Sequence, residues 1–458
     1  MSSQPYDLLI KGGTCLLPHP SDQSLIEQSA DIAITDGRIV KIRESINEPA
    51  LRTINAHGLH VLPGVIDSQV HFREPGMTHK EDLESGTRAA ILGGVTSIFE
   101  MPNTNPPTTT VEAFQDKLNR AKGRAHANYA FFMGASHDNV AEISTLEKQP
   151  HCSGIKIFMG SSTGNLLVED DDSLEKILNQ GSRRVIVHSE DEMRLRERKH
   201  IAVEQADPHY HPVWRDVETA VSSTTRLLRL ARKTGRKIHV LHVSTAEEMD
   251  LLKDAKDNAT GNVSAQVTVE VLPQHLTLYA PDCYDRLGTY AQQNPPIREK
   301  RHLDRLWKAL LDGTVDVIGS DHAPHTREEK DRPYPTSPSG VPGVQTLVPI
   351  MLNHVHDGRL SLHKFVELVT VNPCQVFGVK NKGKLRQGFD GDITIVDLKK
   401  VKTIDNSWIA SKCGWTPFHG MQVHGWVTHT IVGGHVVMED DQVTMPAQGQ
   451  PVNFEGTN

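Results

Sequence analysis

The chain has 458 residues, with 49 lysine and arginine residues against 57 aspartate and glutamate residues, and a formal net charge of −8. This acidic balance and the 5% content of aromatic residues argue against a nucleic-acid-binding protein. Its five cysteines form no CxxC pair, which predicts neither a disulfide framework nor a zinc ribbon. No apolar run approaches the roughly 18 residues of a membrane span. We therefore expect a cytoplasmic protein that does not bind membranes.

Three regions follow one another along the chain. Residues 1–62 predict short β-strands, because apolar stretches such as DLLIKGG and DIAITDGRIVKI are broken by turn residues. In residues 63–382, strand-like and helix-like stretches alternate, which is typical of parallel βαβ units. Residues 383–458 return to strand and turn patterns. The sequence therefore predicts an α/β protein: a TIM-like (β/α)8 barrel over 63–382, with a smaller β-sandwich formed jointly by 1–62 and 383–458.

Polar residues end several apolar stretches within the predicted barrel. A (β/α)8 barrel carries its chemistry at the carboxyl ends of its strands. A single histidine at a strand end is usually a hydrogen-bonded core or loop residue, but five such polar residues at five strand ends favour a shared site. Imidazole, carboxylate and amine groups suit a hydrolytic divalent metal such as zinc. These residues are His71, Lys156, His188, His242 and Asp321.

Lys156 is unusual because it lies between Ile155 and Ile157 in an apolar stretch. Burial disfavours a charged ammonium group, so the lysine requires a compensating feature. One interpretation is an ion pair with a carboxylate, and another is a side chain that reaches solvent at the strand end. The functional interpretation is carboxylation by CO2, which gives an anionic carbamate able to bridge two metal ions.

Several motifs together resemble the amidohydrolase superfamily, and within it the dihydroorotases, along nearly the whole chain. The resemblance rests on LPGVIDSQVHFREPG, GGVTSIFEMPNTNPPT, GIKIFMGSSTGN, VIVHSE, IHVLHVST, NPPIREK and SDHAPHT. The combination of HFREPG, MPNTNPPT and SDHAPH is the most specific part. It implies reversible hydrolysis of dihydroorotate to N-carbamoyl-L-aspartate in pyrimidine biosynthesis.

The same resemblance implies a zinc site with one or two ions per subunit. The first ion is expected to be bound by His71 and Asp321, and the second by His188 and His242. Carboxylated Lys156 is expected to bind both ions. Metal-bound hydroxide is the expected nucleophile. Asp321 is expected to act as general base and then as general acid towards the ring nitrogen.

The resemblance also implies a pocket for the substrate carboxylate, formed by Arg73, Asn103 and His325, with Asn294 at the ring edge. Arginine suits this role because its planar guanidinium binds a carboxylate through two hydrogen bonds. From the residues alone, the favoured interpretation of Arg73 is a surface ion pair with Glu74, and that of Asn103 is a turn residue; the resemblance favours the pocket instead. A homodimer and no nucleic-acid partner are also expected.

One position departs from the superfamily pattern. The end of the first predicted barrel strand reads Gln69-Val70-His71, where most members have two histidines as HxH. An amide is a poorer zinc ligand than imidazole. Three outcomes stay open: two metals with the first bound weakly, one metal, or an inactive site.

Two alternatives to the expected activity stay open. One is a catalytically silent subunit that scaffolds a partner such as aspartate transcarbamoylase, and the other is a different cyclic amidase such as an allantoinase or hydantoinase. Two polar stretches, residues 160–172 and 326–343, are candidates for a loop that closes over substrate.

Overall fold

A computed structural model describes residues 5–161, 164–258 and 266–457. Their strands form two sheets. The strands are β1 Tyr6–Pro18, β2 Leu25–Thr35, β3 Arg38–Arg43, β4 Ala50–Asn55, β5 His60–Pro63, β6 Val65–Val70, β7 Val95–Glu100, β8 Asn128–Gly134, β9 Cys152–Phe158, β10 Val185–His188, β11 Ile238–Val240, β12 Val267–Val271, β13 Val317–Ile318, β14 Ile393–Thr403, β15 Gln422–Val432, β16 His435–Glu439 and β17 Gln442–Val443.

Helices connect the strands of the central region and cover the outside of its sheet. In the described residues, no helix combines the length and apolar character needed to cross a membrane. The helices are α1 Leu83–Leu92, α2 Val111–Ala121, α3 Ile143–Leu146, α4 Asp171–Leu178, α5 Glu192–Gln205, α6 His211–Trp214, α7 Val217–Thr234, α8 Ala246–Asp257, α9 Pro273–Thr277, α10 Asp282–Leu287, α11 Lys300–Leu311, α12 Arg327–Lys330, α13 Leu347–His356, α14 Leu362–Val366 and α15 Asn372–Phe377.

The predicted barrel is confirmed. Strands β6 to β13 pair in parallel with their neighbours in chain order. A parallel bridge between Val70 and His322 brings the two edges together, and the His71 amide donates to the His322 carbonyl at 2.8 Å. Parallel strands connected by helices place all their carboxyl ends at one face.

The two β-rich ends of the chain pair with each other, as the sequence analysis predicts. Strand β14 runs antiparallel to β5, with Ile393 opposite Pro63 and Val396 opposite His60. The resulting nine-stranded mixed sheet also contains β1 to β4 and β15 to β17. It lies beside the barrel as the smaller β-structure of the fold.

Strand alternation decides which residues face the barrel interior. Successive side chains of a strand point to opposite faces. In β9, Ile155 and Ile157 pack in the large apolar core that includes the helix residue Leu227. Lys156 therefore points inward. A separate apolar cluster packs strand residues such as Ile66 and Ile186 against Phe377 and Phe454.

Candidate active site at the carboxyl ends of the barrel strands

The strand ends surround a cavity of about 320 Å³. All nine residues predicted for metal and substrate binding line it, so residues from distant parts of the chain are brought together. The lining includes Gln69, His71, Arg73, Lys80, Asn103, Lys156, His188, His242, Asn294, Asp321, His325, Ser339 and Gly340.

On one side of the cavity lies the double-histidine half, which consists of His188, His242 and Glu190. His188 Nε2 lies 2.8 Å from Glu190 Oε2. Because a carboxylate only accepts, Nε2 carries the proton and Nδ1 presents a lone pair. This Nδ1 lies 3.0 Å from His242 Nε2. Two ring nitrogens thus converge, with the tautomer of one fixed by a buried carboxylate.

Glu190 is itself held by Arg215, through its guanidinium Nε at 3.1 Å from Glu190 Oε1 and a second contact from Nη2. Burial opposes ionisation of Glu190, but the Arg215 charge outweighs it and holds the pKa of the carboxyl well below its usual range. The carboxylate is therefore ionised at neutral pH. It supports the imidazole in the manner typical of carboxylates behind metal-ligating histidines.

Opposite lies the Asp321 half, which consists of His71, Gln69 and Asp321. His71 Nδ1 lies 2.7 Å from Asn103 Oδ1 and its Nε2 lies 3.1 Å from Asp321 Oδ1. The Gln69 amide Nε2 donates to the same Asp321 oxygen at 3.0 Å. Gln69 therefore contacts the carboxylate as a hydrogen-bond donor.

Lys156 shows neither of the two predicted alternatives to carboxylation, an ion pair with a carboxylate or a side chain that reaches solvent. Its side chain is buried at 1% exposure, so it does not reach solvent. Among the described residues, no carboxylate lies within ion-pair distance of its Nζ, which instead sits 4.5 Å from the centre of the Phe158 ring. Burial lowers the pKa of Lys156 to about 7. A partly neutral amine is the form that reacts with CO2.

The donor set fits a divalent metal ion. When His71 donates through Nδ1 to Asn103, its Nε2 lone pair faces the carboxylate oxygen of Asp321, and two acceptors at 3.1 Å require a cation or proton between them. Burial lowers the pKa of both His71 and His188, which favours the neutral rings that ligate metals. In addition, the Nδ1 atom of His242 is buried without a hydrogen bond.

Backbone conformation marks three of these positions. Arg73, His242 and Asp321 have φ values of 65°, 37° and 45°, in the left-handed region that costs free energy for residues other than glycine. Strain of this kind persists where the surrounding structure holds a side chain in a required direction. Here all three side chains point to the same cavity.

Arg73 and His325 form a basic corner of the cavity. Arg73 is 8% exposed, and its guanidinium Nε is buried without a hydrogen-bond partner. Burial lowers the pKa of Arg73 to about 10, so it stays charged at neutral pH. Its Nη2 lies 3.4 Å from His325 Nε2. Glu74 pairs instead with Arg124 at 2.8 Å, so the predicted alternative of an Arg73–Glu74 ion pair is absent from the described contacts.

Asn294 and Asn103 also line the cavity. Asn294 Oδ1 lies 3.1 Å from His211 Nε2, a ring nitrogen that also lies 2.9 Å from the Gln293 carbonyl. Both are acceptors, so His211 Nε2 carries the proton and the Asn294 amide nitrogen is left for a ligand. Asn103 is more than a turn residue, because it binds His71.

Several residues of the site were missed by sequence reasoning. Glu190 had a signal, since it follows His188 by two positions in VIVHSE and alternate residues share a face. Lys80 and Glu329 had none, because the chain brings them together across 249 positions, at 3.0 Å between Nζ and Oε1. The loop candidates contribute Ser161, Ser339 and Gly340 to the cavity lining, while Ser162 and Thr163 lie outside the described residues.

A second group of metal-type ligands occurs on the surface of the described structure. His137, Glu169 and Asp170 place one ligand atom each within 4.8 Å of the others. These side chains are exposed or half-exposed. Exposed groups of this kind are common without an ion, so the buried cavity is the stronger candidate.

A parallel barrel with ligand-type side chains at its strand ends is an arrangement typical of metal-assisted hydrolases. Comparison with known families agrees: residues 60–437 match the model of the amidohydrolase family. The chain therefore belongs to the amidohydrolase family.

Individual relatives place the chain among the cyclic amidohydrolases. It is 35% identical to the dihydroorotase of Methanosarcina mazei over 94% of this chain and 95% of that protein. The dihydroorotase of Pyrococcus abyssi is 35% identical over 93% of this chain and 95% of that protein. Among solved structures, an L-hydantoinase (dihydropyrimidinase) from Arthrobacter aurescens matches with a TM-score of 0.90 and 31% identity, covering 98% of this chain and 100% of that one.

Proposed function

We propose that the protein is a zinc-dependent dihydroorotase, which reversibly hydrolyses dihydroorotate to N-carbamoyl-L-aspartate in pyrimidine biosynthesis. The observation that carries this proposal is Arg73. A buried guanidinium with an unpaired Nε, in the wall of the cavity, calls for an anionic ligand because an unpaired buried charge is costly. Dihydroorotate carries a carboxylate, whereas hydantoin and dihydrouracil rings do not.

In this proposal the two halves hold the metal. The ion would be held by His188 and His242 of the first half, by His71 and Asp321 of the second, and by Lys156 after its carboxylation by CO2. A bound divalent ion activates water and polarises the scissile carbonyl.

Asp321 has the proton-carrying role. Its Oδ1 is engaged by Gln69 and lies beside His71, but its Oδ2 has no hydrogen-bond partner among the described residues. This oxygen can take the proton of the attacking water and pass it to the departing ring nitrogen. Ring closure in the opposite direction moves the same proton back.

The substrate carboxylate is assigned to the basic corner. Arg73 supplies a planar pair of N–H donors, His325 lies beside it, and Asn103 lines the same cavity. We assign Asn294, whose amide nitrogen is not engaged by His211, to the ring edge.

Two alternatives are less well supported. A hydantoinase or dihydropyrimidinase is favoured only by the structural likeness, and it leaves Arg73 without a ligand. A silent scaffolding subunit rests on Gln69 alone, although the other candidate groups line one cavity.

The decisive experiment measures metal content and turnover in one purified sample supplied with zinc and bicarbonate. Hydrolysis of dihydroorotate, dihydrouracil and hydantoin is compared for the wild type and for Arg73→Lys. We expect dihydroorotate to be preferred, and Arg73→Lys to lower kcat/KM for it by about 100-fold because the two-pronged geometry is lost.

Arg124→Lys is the matched control, since Arg124 pairs with Glu74 outside the cavity. An Arg73→Lys enzyme with an unchanged specificity constant contradicts the carboxylate pocket. If the zinc-loaded protein hydrolyses only dihydrouracil or hydantoin, the enzyme is a hydantoinase or dihydropyrimidinase. If it hydrolyses none of the three substrates, the result supports the silent subunit.

A further inference from the structure

Lys80 belongs to the wall of the cavity but to none of the groups assigned above. It follows the HFREPG motif and lies outside every regular element. Its side chain is 13% exposed, and its Nζ lies 3.2 Å from His325 Nδ1 and 3.0 Å from Glu329 Oε1. Lys80 thus contacts His325, the ring that lies 3.4 Å from Arg73 Nη2.

The contacts of His325 determine which of its nitrogens carries the proton. Nε2 lies 3.0 Å from the Ser339 carbonyl, which only accepts, and this contact is satisfied when Nε2 carries the proton. Burial lowers the pKa of His325 to about 3, and the ring is therefore neutral at physiological pH. In a neutral ring the other nitrogen, Nδ1, is then an acceptor, and the Lys80 ammonium is the donor that it faces.

The competing arrangement fits less well. It requires Nδ1 to donate to Glu329 Oε2 at 3.5 Å and Nε2 to accept from Arg73 at 3.4 Å. Both separations are longer than those of the first arrangement, and both lie at or beyond the limit for good hydrogen bonds. The Ser339 carbonyl would also be left facing a lone pair.

Glu329 holds Lys80 in this position. The carboxylate lies in the short helix α12, where its Oε2 accepts from the Thr326 amide at 3.2 Å and the Thr326 hydroxyl accepts from the Glu329 amide. This reciprocal capping leaves Oε1 to receive Lys80. Among Arg73, Lys80 and Glu329, the net charge is +1, and without Lys80 it falls to zero.

We infer that Lys80 is a positioning residue for the substrate carboxylate: it fixes His325 as an Nε2–H donor and keeps the basic corner positively charged. The role in substrate selection rests on the proposed function, because it assumes an anionic substrate. The role in setting the His325 tautomer does not.

The test compares Lys80→Met, which keeps chain length but removes the charge, with Lys80→Arg and the wild type. Lys412→Met is the control, since Lys412 also binds an acidic partner, Asp82, but outside the cavity. Each zinc-loaded protein is assayed with dihydroorotate and with dihydrouracil, and the ¹⁵N shifts of the His325 ring are measured, assigned by their loss in His325→Gln.

We expect Lys80→Met to raise KM for dihydroorotate by about 10- to 100-fold, the loss typical of a charged hydrogen bond. Its kcat should stay within about threefold, and any use of dihydrouracil should be unchanged, because the reacting groups are intact. Lys80→Arg should recover most of the affinity. In Lys80→Met, the His325 shifts should move away from the pure Nε2–H form.

The two readouts separate this inference from the proposed function. Wild-type protein without dihydroorotate turnover refutes the function, while the ¹⁵N shifts still decide whether Lys80 sets the tautomer. Wild-type turnover with an unchanged KM in Lys80→Met overturns the substrate role of Lys80. His325 shifts that are identical in the wild type and Lys80→Met overturn its control of the ring.

Discussion

The double-histidine half and the Asp321 half differ in how completely they are built. In the first, two ring nitrogens converge at 3.0 Å, and Glu190 and Arg215 hold one ring from behind. In the second, one imidazole meets one carboxylate, and Gln69 donates an N–H to the oxygen that would face a cation. The comparison teaches that two sides of one cavity can offer a cation unequal surroundings, with two imidazoles on one side and an amide N–H directed at the carboxylate on the other.

Because the halves differ, we expect one to contribute mainly to metal binding and the other mainly to proton transfer. The half with the better nitrogen donors is suited to hold a metal firmly. The other half contains Asp321, the proposed proton carrier, whose work requires an oxygen that is not fully engaged. We expect substitutions in the two halves to act on different measurements.

The largest effect is expected at Asp321. Asp321→Ala removes the proposed proton carrier, and we expect kcat for ring opening to fall by about 1000-fold. The protein should remain folded, because the side chain is at the cavity wall. Steady-state turnover and a circular dichroism melt check both points.

Asp316→Ala is the matched control, because Asp316 precedes β13 at the opposite end of the strand. Its carboxylate binds Lys256 at 2.7 Å and the Val269 amide at 2.8 Å. Loss of these contacts should lower stability and leave kcat close to wild type. Full turnover by Asp321→Ala would remove Asp321 from the mechanism.

An intermediate effect is expected at Glu190. Glu190→Gln removes the charge that orients His188, and we expect metal affinity to fall by about 10- to 100-fold. Zinc competition against a chromogenic chelator measures the change directly.

Glu147→Gln provides the comparison, since Glu147 is equally buried and paired with Arg236, but lies outside the cavity lining. It should lower stability without changing zinc affinity. Equal zinc affinities for the wild type and Glu190→Gln would show that the carboxylate does not support the ligand.

The smallest effect is expected at Gln69. Gln69→His replaces an amide donor with an imidazole ligand, and we expect the Asp321 half to retain metal about 10-fold better. Zinc per chain after dialysis, measured by elemental analysis, should rise. Gln69→Asn keeps an amide and should not raise it. If Gln69→His leaves the zinc content unchanged, the residue at position 69 does not limit zinc retention by the Asp321 half.

Sequence reasoning succeeded for the barrel and for the residues that line the cavity. Five apolar stretches ending in ligand-type side chains place those side chains at one face, because parallel strands share a direction. For this reason His71 and Asp321, 250 positions apart, were predicted to meet, and their side chains lie 3.1 Å apart. The two alternatives to carboxylation of Lys156, an ion pair and solvent exposure, are not found among the described residues.

Contacts between side chains of different loops were beyond such reasoning. Lys80 has no periodic pattern around it, and its approach to His325 depends on how the loop after β6 meets helix α12. The direction of the Gln69 amide is similar: composition identifies a weak ligand, but only packing decides that its Nε2 faces Asp321.

By itself, the sequence determined the α/β class, the pairing of the two β-rich ends and the family, because strand periodicity and motif spacing are local properties of the chain. Three features were decided only by the tertiary structure. These are the Nε2–H tautomers of His188 and His325, the burial of Lys156, and the inequality of the two halves. These features depend on distances of about 3 Å between residues far apart in the chain, which no local pattern encodes.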